Sequence, residues 1–160
     1  ILYNKMLIEK IKKDLVNHIK SGDKTKISIT RLLIAAVKDK EISIRKNNDS
    51  SDLLTDGLVM EIINKMIKQR NITTQTYIDA GRNDLAEKEM LEAKHLSVYL
   101  PKQLTEKELN IVVDKIILET KAITLRDMGR VMQVLKEKYN GKCDFQFASN
   151  LVKKKLANMG

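Results

Sequence analysis

The sequence predicts an all-α protein in two parts: an N-terminal antiparallel helical bundle and a small C-terminal three-helix domain. Apolar side chains recur every three to four residues along most of the chain, which is the spacing of one helix face. No segment alternates between apolar and polar residues for long enough to indicate a strand. The chain has one proline and six glycines in 160 residues, which favours long helices because both residue types are poor in helix interiors. The proline, Pro101, places the predicted boundary between residues 1–98 and residues 99–160.

Four helices are predicted in the N-terminal part. Gly22 separates the first two, and Asp23 is suited to cap the second helix by accepting backbone N–H bonds. A polar segment, 46–56, links the second helix to the third, and we expect Leu53 and Leu54 to anchor it to the core. The predicted helices span 4–20, 24–45, from a cap at Thr55 or Asp56 to Gly81, and 84–100.

Three shorter helices are predicted after the proline. Thr105 and Glu108 have the spacing of a capping box, so a helix follows Thr105. The next helix is expected over 125–139, and its interior Gly129 indicates close contact with a neighbouring backbone. Asp144 is placed to cap the last helix, over 145–157. About 60 residues form a marginal core, so we expect this part to lean on the N-terminal helices or to move as a hinged appendage.

One carboxylate interrupts an apolar helix face. Glu89 lies in the middle of a stripe that also contains Ala86, Ala93 and Leu96. Burying a carboxylate without a partner is costly, so we predict a structural ion pair between Glu89 and either Arg70 or Arg82. A catalytic role for Glu89 is the minor alternative, because no second acid, histidine or metal cluster accompanies it at a recognisable spacing.

Basic residues are concentrated at both ends of the chain. The formal net charge is +9, with +7 over residues 1–46, +5 over residues 101–160 and a mildly acidic middle. Lys24, Arg31 and Lys38 recur every seven residues on the side of the second helix that opposes its apolar stripe. A solvated face is the commoner outcome for a single helix, and the alternative is a row of contacts to nucleic-acid phosphates.

Motifs for cofactors and catalysis are absent from the sequence. There is no G-x-x-x-x-G-K or G-x-G-x-x-G loop, and His18 and His95 have no carboxylates at metal-ligand spacing. We therefore predict no cofactor, no metal and no catalytic residue.

The one cysteine, Cys143, excludes an internal disulfide and fits a reducing compartment. A nucleophilic thiol paired with His95 is conceivable because Cys143 lies near a helix start, but we favour a partly buried, inert cysteine.

Several motifs resemble those of a known family. The pattern Y-x-x-A-G-R-x-D-L-A-x-x-E-x-x-E at 77–92, followed by Y-L-P-x-Q-L at 99–104, resembles the signature of YqeY proteins. D-M-G-R-V-M at 127–132 and S-x-L-V-K at 149–153 match as well, so the resemblance covers nearly the whole chain. It departs at Gly57, where the family usually has an acidic residue.

The resemblance implies a small helical protein whose C-terminal part is similar to the tail domain of GatB. GatB is the tRNA-binding subunit of the glutamine-dependent amidotransferase that acts on mischarged tRNA. Through that shared domain the family is grouped with carbon–nitrogen ligases that use glutamine as the amide donor, although catalysis there lies in parts that this chain lacks. Implied partners are tRNA and the amidotransferase or other translation components. The implied nucleic-acid contacts of the C-terminal domain are Lys142, Lys153, Lys154 and Lys155.

Three functional hypotheses follow. The first is a tRNA-directed binding module, and the second is a protein-interaction adaptor without RNA contact. The third, which we rate lowest, is an enzyme centred on Glu89, Glu92 and Arg82, so enzymatic activity stays open.

No run approaches the ~20 apolar residues of a membrane span, and the first residues lack the apolar region of a secretory signal. We expect a protein that is not secreted, located in the cytoplasm, or in an organelle matrix if a targeting peptide preceded Ile1. Its oligomeric state is not predicted.

Overall fold

The computed structural model describes residues 6–47 and 54–160. Within these ranges the chain forms seven α-helices, one short 3₁₀ turn and no strand, so the predicted all-α class is confirmed. Two predictions concern residues outside these ranges. They are the start of the first helix at Asn4 and the anchoring of the linker by Leu53. The helices are α1 (Met6–Ser21), α2 (Lys24–Lys46), α3 (Asp56–Asp79), α4 (Asn83–Ser97), α5 (Glu106–Thr120), α6 (Met128–Lys138) and α7 (Phe145–Ala157).

The chain forms two compact units, Ile1–Leu100 and Pro101–Gly160, here called unit 1 and unit 2. The division falls two residues after the boundary that the sequence predicted. Each unit has its own hydrophobic cluster of buried side chains. Whether each unit folds as an independent domain stays a prediction.

Unit 1 is built from α1 to α4 around one hydrophobic cluster. α3 and α4 pack on each other and are joined by a three-residue turn in which Gly81 has a φ of +71°. Gly22, with a φ of +73°, reverses the chain between α1 and α2. Glycine adopts these left-handed values without strain because it has no Cβ. The cluster consists of Ile8, Ile11, Ile29, Leu33, Val37, Leu54, Val59, Ile63, Leu96 and Tyr99.

Side-chain caps fix the starts of α2 and α3. Asp23 Oδ1 accepts a hydrogen bond from Lys26 N at 3.1 Å, and Thr55 Oγ1 accepts one from Leu58 N at 3.2 Å. The cap at Asp23 was predicted, and Thr55 is one of the two residues predicted to cap α3. Both caps satisfy backbone N–H groups that have no partner inside the helix. Leu54, just before the second cap, is buried as expected.

Unit 2 contains α5, α6 and α7. The predicted capping box is present at the start of α5: Glu108 N donates to Thr105 Oγ1 at 3.2 Å, and Thr105 N donates to Glu108 Oε2 at 3.1 Å. Asp144 Oδ1 accepts from Gln146 N at 3.0 Å and caps α7. The buried cluster of this unit consists of Leu109, Val113, Ile116, Ile117, Ala122, Val131, Leu135, Cys143, Ala148, Val152 and Leu156.

Three local predictions are wrong. The helix expected over 125–139 begins only at Met128, because Leu125–Asp127 form the 3₁₀ turn. α4 ends at Ser97 and not at Leu100, because the next residues form tighter turns in which Leu100 N donates to Ser97 O at 3.1 Å. A residue directly before proline is disfavoured in the α conformation, which explains why the helix stops short of Pro101. Gly129 makes no close contact with the backbone of another helix, since a Cβ built there would meet no atom within 4 Å beyond the backbone of its own helix.

Candidate functional site

The three cations predicted on α2 form an exposed row. Lys24, Arg31 and Lys38 are exposed, and none of them forms an ion pair with another described residue. Seven residues at a rise of 1.5 Å place successive cations about 10 Å apart along the helix. Ser28 and Ala35, which are small and exposed, lie between them on the same side. The structure therefore leaves this row, Lys24–Arg31–Lys38, open to an anionic partner.

The four lysines predicted in unit 2 differ in their surroundings. Lys153 and Lys154 are exposed near the end of α7. Lys142 is half-buried, with its Nζ atom 5.8 Å from the centroid of the Tyr139 ring. Lys155 binds Asp114 Oδ1 at 2.7 Å and is 24% exposed, so it links α7 to α5. Lys155 therefore differs from Lys153 and Lys154, because its ammonium group is already paired with Asp114.

The predicted ion pair at Glu89 is wrong in its acidic member. Glu89 is only partly buried, and no ion pair among the described residues includes it. The buried carboxylate is that of Glu92, whose Oε2 atom accepts a hydrogen bond from Arg70 Nε at 3.1 Å. Arg82, the other predicted partner, binds Asp84 at 3.3 Å on the surface, and this bond lowers the pKa of Asp84.

Glu89 and Glu92 lie on the same side of α4 but differ in burial. The two residues are three apart, so helical periodicity places them on neighbouring parts of one face. Ala86, Glu92, Ala93 and Leu96 are buried on that face, whereas Glu89, which lies between them in sequence, is only partly buried. Periodicity therefore identified the face correctly, but it did not show which of the two carboxylates meets Arg70.

The residues of the enzyme hypothesis do not form one polar cluster. Glu92 is bound to Arg70, Arg82 is bound to Asp84, and Glu89 has neither as an ion-pair partner. Across residues 6–47 and 54–160, no group of three or more His, Cys, Asp or Glu side chains could hold a metal ion.

A histidine pair that the sequence did not predict lies inside unit 1. The rings of His18 on α1 and His95 on α4 are edge to face, with centroids 5.0 Å apart. His95 Nε2 lies 3.4 Å from Thr30 Oγ1 on α2. His18 Nε2 is buried and has no hydrogen-bond partner among the described residues. The two rings therefore join three helices through one polar cluster.

A second polar contact lies beside the histidine pair. Tyr99 donates its hydroxyl to Asp14 Oδ2 at 2.6 Å. Burial, with the hydrogen bond to Asp14, raises the pKa of Tyr99, so this hydroxyl stays protonated. The Tyr99 ring is also edge to face with His95, at 6.2 Å between centroids.

The environment of His95 favours its neutral form. Burial lowers the pKa of His95 first, followed by the nearby His18 and Lys26, while Asp23 and Asp14 act in the opposite direction. A neutral imidazole can accept and donate one hydrogen bond each. The only sequence signal for this cluster was that both histidines lie beside apolar stripes, His18 seven residues after Ile11. Nothing in the spacing showed that the two helices bring the rings together.

Cys143 has the character of an inert residue. It is 5% exposed within the cluster of unit 2. Burial, together with Asp144, raises the pKa of Cys143 to about 11. A thiol is a nucleophile only as the thiolate, so the interpretation of Cys143 as a buried, unreactive cysteine agrees with its surroundings.

Curated proteins of three species are similar to part of this chain, and each is named altered inheritance of mitochondria protein 41, mitochondrial. The protein of Eremothecium gossypii is 33% identical over 91 residues, which are 56% of this chain and 46% of that protein. The protein of Vanderwaltozyma polyspora is 32% identical over 99 residues, 61% of this chain and 50% of that protein. The protein of Candida glabrata is 29% identical over 99 residues, 62% of this chain and 52% of that protein. This chain thus spans about half the length of the relatives it matches.

A family model covers far more of the chain than these relatives do. The model described as Yqey-like protein matches residues 8–156, which include α2 to α6 completely and most of α1 and α7. The motifs at 77–92 and 99–104, and those after Pro101, all lie within the matched range. The chain therefore belongs to the YqeY-like protein family.

Proposed function

We propose that this protein is a tRNA-associated accessory module, related to the glutamine-dependent tRNA amidotransferase through a shared helical domain and without a catalytic centre of its own. The observation that carries the proposal is the row Lys24–Arg31–Lys38, in which three exposed cations have no ion-pair partner among the described residues. Cations of this kind attract nucleic acid by neutralising phosphates and releasing counterions. They hold the RNA in place without reading its sequence.

The pairing of charges on α2 supports this interpretation over a merely solvated face. Helices that are stabilised by their surface charges place acids three or four residues from bases. The only acid at such a position from any cation of the row is Glu41, three residues after Lys38. Glu41 instead accepts a hydrogen bond from Arg45 at 3.0 Å. The three cations thus keep their charge available for an external partner.

Unit 2 supplies a second set of available cations. Lys142, Lys153 and Lys154 have no ion-pair partner among the described residues. Lys155 is not part of this set, because its contact with Asp114 occupies it. We therefore propose that three cations on unit 1 and three on unit 2 bind phosphates of the tRNA.

An organelle matrix is the compartment that we propose for the protein. The three relatives that it matches carry the word mitochondrial in their names. Among the described helices, none has both the length and the apolar character to cross a membrane. Fractionation of cells that express the native protein would test this location, and recovery with cytosolic markers alone would contradict it.

Filter binding of bulk tRNA at several salt concentrations tests the function. Replacing Lys24, Arg31 and Lys38 with glutamine should reduce the slope of log affinity against log salt by roughly two units, at about 0.7 to 0.9 per phosphate contact. The matched control is glutamine at Lys12, Lys26 and Lys138, which removes the same charge from cations that already have acidic partners.

The control separates specific contacts from a loss of net charge. A larger fall in slope for the row variant than for the control supports the proposal. Equal slopes for the two variants would mean that tRNA responds only to total charge. No binding at the lowest salt would refute the proposed function.

The second candidate function is a protein-interaction adaptor without RNA contact. It is favoured by Ile111 and Leu118, which are 66% and 78% exposed and lie seven residues apart on one side of α5. Large apolar side chains that share an exposed face are typical of contact surfaces. If tRNA does not bind, capture of a protein partner by the wild type that is lost with Leu118→Lys would support this function.

A further inference from the structure

We infer that a concave surface in unit 2, built around Tyr139, is a site for one unpaired nucleotide, with the base on the Tyr139 ring and a phosphate at Lys102 and Lys142. This inference deepens the proposed function and rests on it, since it names the part of the RNA that unit 2 would hold. The cavity has a volume of about 410 Å³, which lies within the range of small-ligand sites. Its walls are Pro101, Lys102, Gln103, Leu104, Glu108, Tyr139 and Lys142.

The two walls of the cavity are joined by hydrogen bonds. Gln103 Nε2 donates to Gly141 O at 2.6 Å, and Leu104 N donates to Lys142 O at 2.8 Å. These bonds connect the segment after Pro101 to the turn after α6. Gly141, which is buried, has a φ of +72°, a value that lets the chain reverse at this point. The cavity is therefore formed before any ligand arrives, and less conformational entropy is lost on binding.

Tyr139 supplies the aromatic surface. Its ring is half-buried because one part of it packs against the hydrophobic cluster of unit 2. The remaining surface lines the cavity, and Lys142 Nζ lies over the ring, 5.8 Å from its centroid. When a base stacks on the ring, this flexible side chain moves aside toward the phosphate. A ring that is fixed by the core and covered only by such a side chain is suited to stacking, because every base has a π-face. Pro101 adds an apolar surface on the opposite wall.

Lysine charges set where the phosphate lies. Lys102 and Lys142 both line the cavity, and neither forms an ion pair with a described residue. Glu108 lines the same cavity and would repel a phosphate, so the phosphate belongs at the lysines and the base near Glu108. This separation of charges fits a nucleotide, which has an anionic end and a neutral planar end. A simple polyanion has no neutral part to place beside the carboxylate.

Glu108 also confers a base preference. Its Oε2 atom accepts from Thr105 N in the capping box, which leaves Oε1 free to accept another hydrogen bond. Cytosine and adenine present an exocyclic amino group, whereas uracil presents a carbonyl oxygen at the corresponding position. A carboxylate accepts from the amino group and repels the carbonyl. The site should therefore prefer cytidine or adenosine over uridine.

Titration of the full-length ¹⁵N-labelled protein with 5′-phosphorylated cytidine and uridine trinucleotides tests the site. With the cytidine probe, shift changes should concentrate at 101–104 and 139–142. Tyr139→Leu should weaken binding roughly fivefold to a hundredfold, the range of base–aromatic stacking. Tyr139→Phe keeps the ring and should bind like the wild type, since the hydroxyl forms no hydrogen bond with a described residue. This variant also shows that the loss in Tyr139→Leu comes from the ring.

Glu108→Gln tests the base preference without removing the helix cap, because glutamine also serves in a capping box. The wild type should favour the cytidine probe by roughly tenfold, as expected for a hydrogen bond to a charged acceptor. The preference should shrink or reverse in the variant, whose amide can donate to uracil. An unchanged ratio between the two probes would overturn the role of Glu108.

Failure of the site and failure of the proposed function give different results. If bulk tRNA binds with a steep salt dependence but Tyr139→Leu binds the trinucleotide like the wild type, the site is refuted and the function stands. If the trinucleotide binds at Tyr139 but tRNA does not bind, the function is refuted and the site stands. Shift changes spread over all exposed lysines would refute the site, and no binding of either probe would refute both.

Discussion

The buried ion pair of unit 1 can be tested by removing the carboxylate of Glu92. Arg70 Nε donates to Glu92 Oε2 at 3.1 Å, and the two side chains are 15% and 8% exposed. The guanidinium also donates from Nη1 to Met66 O at 3.4 Å, a long contact to its own helix. Glu92→Ala would leave the charge of Arg70 between α3 and α4 with that carbonyl as its remaining partner among the described residues.

The cost of this change follows from the burial of the pair. Removing one member of a buried ion pair costs about 3–5 kcal/mol, because the other charge stays buried without compensation. Arg70 keeps some contact with water, so we expect a value near the lower end, about 3 kcal/mol. For a domain of this size, that corresponds to a fall in Tm of roughly 12–24 °C. Replacing both residues, with Arg70→Met and Glu92→Leu, should recover most of the loss because no charge remains buried.

Amide hydrogen exchange of α3 and α4, read by mass spectrometry, is the suitable assay. We predict that the two units unfold separately, in which case a single melting curve does not isolate unit 1. Glu89→Ala is the matched control, since it removes the same group one turn away and should change stability by less than about 0.5 kcal/mol. If Glu92→Ala and Glu89→Ala accelerate exchange equally, the burial argument for Glu92 is wrong.

Three further predictions concern titration and pairing. Folding lowers the pKa of His95 below its ordinary value of 6.5. As the pH falls, the unfolded chain therefore binds a proton before the folded chain does. The stability of unit 1 should decrease as the pH drops below about 6.5. His95→Gln should flatten that part of a urea-denaturation series against pH. Lys155→Gln should leave the salt slope of tRNA binding unchanged, because Asp114 already holds this ammonium, whereas Lys154→Gln should lower it by about 0.7 to 0.9. Cys143, with a pKa of about 11, should react with a thiol reagent at pH 7 only after urea unfolds unit 2, and fast reaction in the native state would contradict its burial.

Local signals in the sequence predicted most of the fold. The starts of α2, α3, α5 and α7 followed from caps whose side chains bond to backbone N–H groups two or three residues on, and such bonds depend on near neighbours alone. Gly22 and Gly81 marked the ends of helices for the same local reason. The end of α4 was missed because periodicity continues to Leu100, while the constraint of a following proline shortens the helix. The close backbone contact predicted at Gly129 was wrong because a sequence does not show which atoms surround a glycine.

Only the candidate site residues whose exposure follows from a single helix could be predicted from the sequence. Lys24, Arg31 and Lys38 face away from the apolar stripe of their own helix, so a single helix was enough to predict their exposure. Lys155 and Asp114 are 41 residues apart, and their contact depends on how α7 packs on α5. The same holds for His18 and His95, which meet only because α1 and α4 are packed in the same unit. Helical periodicity does not predict contacts between helices that are distant in sequence.

The two kinds of RNA contact proposed for this protein are separable in one measurement. Phosphate contacts release counterions, so they set the slope of log affinity against log salt. Stacking on Tyr139 involves no charge, so it contributes equally at every salt concentration. Neutralising the row Lys24–Arg31–Lys38 should therefore change the slope, whereas Tyr139→Leu should lower the whole line and leave its slope unchanged. If Tyr139→Leu alters the slope as the row variant does, the ring acts by positioning Lys142 and not by stacking, since Lys142 Nζ lies 5.8 Å from its centroid.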